Sequence, residues 1–281
     1  MINKAGDWTL SGFGDEIDDD PVIQLAVLQA LGASHLELRS AWGTNVVDFD
    51  QDQLSRIRAL LDERAMSVSA IASPLGKVDV HTPVEQELQR LRSAIRAASA
   101  VGSRYIRVFS FYRSDSETPE QIRDEVITHL SAQAELAERE GVVLLHENEK
   151  DIYGDIPERV LDLVQTVDSP AFRVAWDNAN YVQVGVRPFT EGWAQLAPYV
   201  EYLQVKDARL TDGTVTPAGE GDGELLETLT ALRDAGYAGF ASLEPHLAIA
   251  GRMGGYSGPG AFGRAARALR RLTDQIGVEL I

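Results

Sequence analysis

The sequence predicts an α/β protein, a single (β/α)8 barrel running through residues 1–281. Three observations predict it. Short β-rich runs alternate with helix-spaced segments along the whole chain, and alternating βα units imply a parallel sheet. There are eight such runs, or about 35 residues per unit, the size of one strand plus its helix. No Pro/Gly/Ser-rich linker or shift in composition divides the chain. An open doubly wound sheet is the rival arrangement. It uses fewer strands, and no G-x-G-x-x-G follows the first strand here.

The elements are legible in order. The first strand is "WTLSGF" (8–13). Asp20-Pro21 then reads as an N-cap followed by Pro at the first helical position. "SHLELR" (34–39) is the second strand, and Leu54, Ile57 and Leu61 recur at helical spacing behind it. The third strand is "MSVSAIA" (66–72), and its helix ends at "AVG" (100–102) with Gly at the stop. "YIRVFSF" (105–111) is the fourth strand. Ile122, Val126 and Leu130 share the face of its helix, which stops at "REG" (139–141). The remaining strands are "VVLLHE" (142–147), "FRVAWD" (172–177), "VEYLQV" (200–205) and "GFASLE" (239–244). Before the last of these, Leu225, Leu229 and Leu232 mark a helix that ends at "DAG" (234–236).

Composition removes several functions. The chain is 44% hydrophobic, which suits a large core, and its net charge is −17. A phosphate backbone or an anionic membrane surface would repel it, so neither nucleic acid nor membrane is an expected partner. No apolar run reaches the length of about 18 residues that spans a bilayer, and no basic-then-apolar leader opens the chain. Without cysteine there are no disulfides and no thiolate metal sites. The expected location is the cytoplasm, and a homo-oligomer is left open.

In a barrel, reactive groups collect at the C-terminal ends of the strands. Four consecutive strands end in polar residues. The fifth offers Glu147 and Glu149, the sixth Asp177 and Asn180, the seventh Gln204, Lys206 and Asp207, and the eighth Glu244 and His246. Carboxylates brought together repel unless a cation neutralises them. Glu147, Asp177 and Glu244 with the Gln204 carbonyl would make a hard, oxygen-rich divalent site. The alternative is that these acids cap the following helices or pair with surface lysines. Lys206 shares the face of Gln204 and either reaches a substrate oxygen or pairs with an acid. Lys77, past the third strand, and Arg209 either bind an anionic or hydroxyl-rich ligand or are solvated. His246 either hydrogen-bonds substrate or faces solvent.

Other features have plainer readings. Asp207 caps its loop or orients Lys206. Glu37 and Arg39 share one face of the second strand and would form a buried ion pair. His146 alternates away from Glu147, toward the helices. The run "DEIDDD" (15–20) lacks the spacing and Gly of a calcium loop, and only its Glu16 would reach the rim. "LAIAGRMGGYSGPG" (247–260) reads as a site cover or an ordinary loop.

These residues resemble the xylose-isomerase-like TIM-barrel superfamily, and in particular its sugar-phosphate isomerase/epimerase branch. The matching features are "ENE" after strand five, "DNAN" after strand six, "VKDA" after strand seven, "PAGEGDGELLETLTALRDAGYAGFASLEP", and the final Glu. The likeness is strongest over 140–246, with weaker support from "SPLGKVDV" (73–80). It implies a sugar or polyol substrate and a metal at the strand ends. The family usually carries His where this chain has Gln204. An amide oxygen hardens the site, so Mn²⁺ or Mg²⁺ is expected over Zn²⁺. The expected reaction is isomerisation or epimerisation through an enediolate, with Glu147 and Glu244 as acid and base. A dehydratase or lyase working through the same site and a non-catalytic sugar-binding barrel are the alternatives. A DNA-repair endonuclease, also in this superfamily, would need more His and a basic surface. No phosphate-gripping glycine loop is visible.

Overall fold

A computed structural model describes residues 6–251 and 254–281. Eight parallel strands form the barrel: β1 (Asp7–Gly12), β2 (His35–Leu38), β3 (Ser67–Ile71), β4 (Tyr105–Val108), β5 (Val143–Glu147), β6 (Phe172–Asp177), β7 (Val200–Val205) and β8 (Phe240–Leu243). Each pairs with its sequence neighbour from β2 through β8, and β8 pairs with β1. Between β1 and β2 the sheet is joined by a parallel bridge from Phe13 to Glu37. Beside that seam runs β9 (Glu279–Leu280), which lies parallel to β1 with Trp8 opposite Leu280.

The register decides where the functional residues stand. Asp177 is opposite Gln204, Val205 opposite Leu243, and Glu147 opposite Ala175. Because the pairs are parallel, the last residues of β5 to β8 reach one rim. The fourth strand stops at Val108 instead of running to 111. There the backbone leaves the barrel and pairs with the 73–80 segment, with Phe109 N donating to Leu75 O and Tyr112 N to Val78 O.

The helices are α1 (Pro21–Ala30), α2 (Gln51–Glu63), α3 (Val84–Val101), α4 (Pro119–Glu140), α5 (Pro157–Val167), the short α6 (Asn178–Gln183), α7 (Leu225–Asp234) and α8 (Gly258–Ile276). Their ends follow local chemistry. Asp20 accepts from Val22 N, and Asp50 and Gln53 form a capping box on α2. Gly102 and Gly141 stop α3 and α4 in the left-handed region, at φ 74° and 72°, where a side chain would be strained. Among the described residues no helix is long and apolar enough to cross a membrane.

Two apolar zones flank the strands. The larger lies between the strands and helices and includes Ile57, Leu91, Val126, Leu130 and Phe262. The smaller lies within the barrel at the starts of the strands, around Val143, Leu145 and Tyr202 with Tyr105 and Phe240. Above it the interior turns polar: Ser11 and Ser69 hydrogen-bond at 2.7 Å, and Tyr202 Oη donates to Glu37. The charged rim follows.

Phe262 holds α8 against β1, where any side chain at Gly12 would meet the ring. It is fully buried. Phe262→Ala is expected to lower the unfolding free energy by about 3–5 kcal/mol. A urea titration checks this, and a loss under about 1 kcal/mol would contradict the packing of α8 on β1.

Candidate active site

The site begins with alternation along β7. Gln204 and Lys206 project to the barrel axis, and Asp207 projects away. Lys206 Nζ lies among three carboxylates, 2.5 Å from Glu244, 2.9 Å from Asp177 and 3.7 Å from Glu147. All four side chains are buried. The contact with Asp177 Oδ2 is an ion pair without hydrogen-bond alignment, so that oxygen has no hydrogen-bond partner.

Two guanidinium groups complete the charge balance. Arg107 Nη1 is 2.9 Å from Glu147 and 3.5 Å from Glu244. Arg39 donates to Glu244 at 3.0 Å and to Asp15 at 2.7 Å. Both rest over the Phe13 ring, with guanidinium carbons 5.1 and 4.9 Å from its centroid. Burial pushes the Glu244 carboxyl upward, but Lys206, His246 and Arg107 outweigh it and hold Glu244 well below the usual carboxylate range. Asp177 moves the other way. Burial raises it, Lys206 opposes, and the charges of Glu147 and Glu244 add to the rise. The two directions fit the geometry, because Glu244 has the shorter contact and additional cations. Burial would discharge Lys206, yet Asp177, Glu244 and Glu147 keep it a firm ammonium.

Glu147 and Glu244 both face a cavity of about 290 Å³, which is also lined by Arg39, Lys77, Asn180 and Lys206. Asn180 donates to Glu147 at 2.9 Å, and its own backbone N–H is held by Asp177. Lys77 pairs with Glu149 at 2.7 Å and lies over Phe109. His246 lines the cavity too, at a strained φ of 47°. Glu16 fixes it by accepting from its backbone N–H, while its Nε2 lies 3.1 Å from Glu16 and 3.4 Å from Glu244. Arg209 stands apart. It is exposed in the turn after β7, bonded through its backbone to Thr214, and does not line the cavity.

One expectation changes, and others become specific. Glu37 and Arg39 do not pair. Glu37 accepts from Tyr202 and Gln204, whereas Arg39, just past the end of β2, turns to Asp15 and Glu244. Asp207 proves to be a loop anchor that accepts from the N–H groups of Ala208, Gly219, Gly221 and Gly223. A side chain at Gly221 or Gly223 would collide with it. His146 is buried against Ser110, and burial lowers it to about 3, so it is neutral. Residues 249–251 and 254–256 form a two-stranded hairpin, and 252–253 lie outside the described residues. Arg107 is the residue missed in sequence. Its signal was an arginine amid apolar residues on the inward face of a strand.

The carboxylates are placed so that they could hold a metal ion. One oxygen each from Glu147, Asp177 and Glu244 lie within 4.8 Å of one another. Two buried oxygens there, Asp177 Oδ2 and Gln204 Oε1, lack hydrogen-bond partners, which is what a cation would satisfy.

A parallel barrel with acids from strands five, six and eight at one rim defines a TIM-barrel protein with its polar site at the strand ends. The chain belongs to the xylose isomerase-like TIM barrel family, which matches over residues 25–275. It is 29% identical over 221 residues to a 2-epi-5-epi-valiolone 7-phosphate 2-epimerase of Actinoplanes sp., covering 72% of this chain and 77% of that protein. Among solved structures it is similar to a D-tagatose 3-epimerase-like protein, with a TM-score of 0.78, 17% identity and coverage of 96% and 98% of the two chains. A xylose isomerase-like TIM barrel protein from Mycobacterium smegmatis, in complex with magnesium, has a TM-score of 0.72 at 17% identity, with coverage of 98% and 100%. These two structures establish the fold.

Glu37 gives the site a pH signature. Burial, against the pull of Arg107, raises it from 4.5 to about 7. The folded protein keeps a proton there that the unfolded chain releases. The stability this supplies is full at low pH and is lost as pH rises through about 7. Glu37→Gln should therefore match the parent near pH 4 and exceed it by up to about 3 kcal/mol near pH 8. Denaturant melts of both proteins across this range check it. A constant difference would mean that Glu37 is ionised throughout.

Proposed function

We propose that the chain is an epimerase or isomerase of a keto-sugar or keto-polyol, with Glu147 and Glu244 as the acid/base pair. The observation that carries this reading is their placement. Both face the same cavity, they share Arg107 Nη1, and they come from strands on different sides of the rim. A substrate carbon between them can lose a proton to one carboxylate and regain one from the other. Glu244 is held ionised, so it is ready to accept. The epimerase among the relatives supports this choice of reaction.

The other groups have separate tasks. Lys206, Arg107 and Arg39 set positive charge where a carbonyl oxygen would become negative. Asn180 holds the orientation of Glu147. Lys77, Asn180 and His246 present donors to substrate hydroxyls along the cavity wall. The cavity volume suits a compact polyol, whose hydroxyls match its many polar groups.

Glu147, Asp177, Glu244 and the Gln204 oxygen would hold a divalent ion, Mn²⁺ or Mg²⁺ over Zn²⁺, since all four donors are oxygen. When bound, it supplies a Lewis acid that stabilises negative charge on a substrate oxygen.

The test is exchange of a carbon-bound hydrogen with solvent, because epimerisation and isomerisation both begin with that step. Proton NMR in D₂O with a panel of ketoses and keto-inositols, with and without Mn²⁺, should find a substrate that exchanges. Glu147→Gln and Glu244→Gln should each slow exchange by roughly 10²–10⁴-fold while keeping the fold. If exchange survives in both, the acid/base assignment is wrong. If no ketone exchanges above the rate without protein, the reaction class is wrong.

A further inference from the structure

We propose that the Lys206 ammonium is a resident cation that occupies the space of the divalent ion, so that ion binding requires Lys206 to vacate it. The inference rests on reading the carboxylate cluster as a cation site. It goes further by assigning a competitor within the chain.

The contacts are those of a counter-ion. Lys206 Nζ lies within 4 Å of all three carboxylates, and Arg107 reaches only two of them. Asp177 is fully buried, and among the described residues Lys206 is the cation recorded against it within 4 Å. Without Lys206 or an ion, a carboxylate would stand buried and uncompensated, which proteins avoid. Two monovalent partners at 2.5 and 2.9 Å leave no room beside Nζ for a second cation on the same oxygens. A lysine is suited to leaving, since its charge sits on a flexible four-carbon stem. It also has somewhere to go. Lys206 already lines the cavity, whose wall also carries Glu149 paired with Lys77. The move would turn Lys206 from a counter-ion into a donor aimed at the substrate. Asp177 Oδ2 and Gln204 Oε1, which lack hydrogen-bond partners while Lys206 is in place, would then become available to the ion.

Mn²⁺ titration of the whole chain, read by electron paramagnetic resonance and calorimetry, tests this. The proteins are the parent, Lys206→Met, Lys206→Arg, Arg107→Met and Asp177→Asn. Displacement predicts that Lys206→Met binds Mn²⁺ by roughly 10²-fold more tightly than the parent. Arg107→Met, which removes an equal charge from outside the space, should gain far less, and Lys206→Arg should gain nothing. Metal-free Lys206→Met should also melt below the parent and be raised more by Mn²⁺. If that variant folds only with Mn²⁺ present, this dependence is the expected result in stronger form.

The outcomes separate the two readings. Equal affinity in the parent, Lys206→Met and Arg107→Met, lost in Asp177→Asn, would overturn displacement and leave the cation site standing. Equal gains in Lys206→Met and Arg107→Met would also overturn it, since only net charge would matter. Binding in Lys206→Met alone would uphold Lys206 as the occupant and overturn metal dependence in the parent. Binding in no variant would overturn both.

Discussion

Three carboxylates buried within reach of one another are the constraint on which the rest of the rim depends. Like charges at that spacing in a dry site cannot all be ionised without cations. The chain answers with Lys206 at the centre and Arg107 and Arg39 at the sides. The balance is uneven. Glu244 contacts Lys206, Arg39, Arg107 and His246, whereas Asp177 contacts Lys206 alone among these groups. The carboxyl that faces the cavity is thereby kept charged, and the one behind it is pushed toward its neutral form. Two acids on strands separated only by β7 acquire opposite tendencies from their surroundings.

The barrel interior is graded to make this tolerable. Apolar side chains fill the end where the strands start, and hydroxyls and Glu37 form a polar belt above them. The buried ion cluster stands at the mouth. Each layer supplies partners to the next: Tyr202 belongs to the apolar zone by its ring and to the polar belt by its hydroxyl. Glu37 in turn accepts from Gln204, one step below the charged rim. Partners for buried polar groups are thus built into the fold before any ligand arrives.

Much of this was legible in sequence, and the reason is periodicity. Strands and helices announce themselves through spacing, so β6 and β7 match their expected bounds of 172–177 and 200–205. Residues at strand ends were legible for the same reason, and the rim collects Glu147, Asp177, Lys206 and Glu244. Partner choice was not legible. Arg39 lies just past the end of β2 and finds Asp15 and Glu244, partners 24 and 205 residues away that no local pattern announces. Arg107 was hidden because the expected strand runs to 111, whereas β4 stops at Val108 and puts Arg107 at its end. Arg209 follows the motif closely, yet the turn carries it outward into solvent.

The segment Gln204-Val205-Lys206-Asp207 shows how three polar residues within four positions serve three ends. Alternation turns Gln204 and Lys206 toward the axis and leaves Asp207 on the other side. There it gathers the N–H groups of Gly219, Gly221 and Gly223 and ties the glycine-rich loop to the end of β7. Gly221 and Gly223 are required because the loop backbone there approaches the carboxylate so closely. The anchor holds the backbone on the C-terminal side of Lys206, and pairing of Val205 with Leu243 holds the other side. A lysine stem fixed at both ends of its own backbone can swing only at its side chain. The chain can therefore carry a mobile ammonium at the centre of a rigid rim.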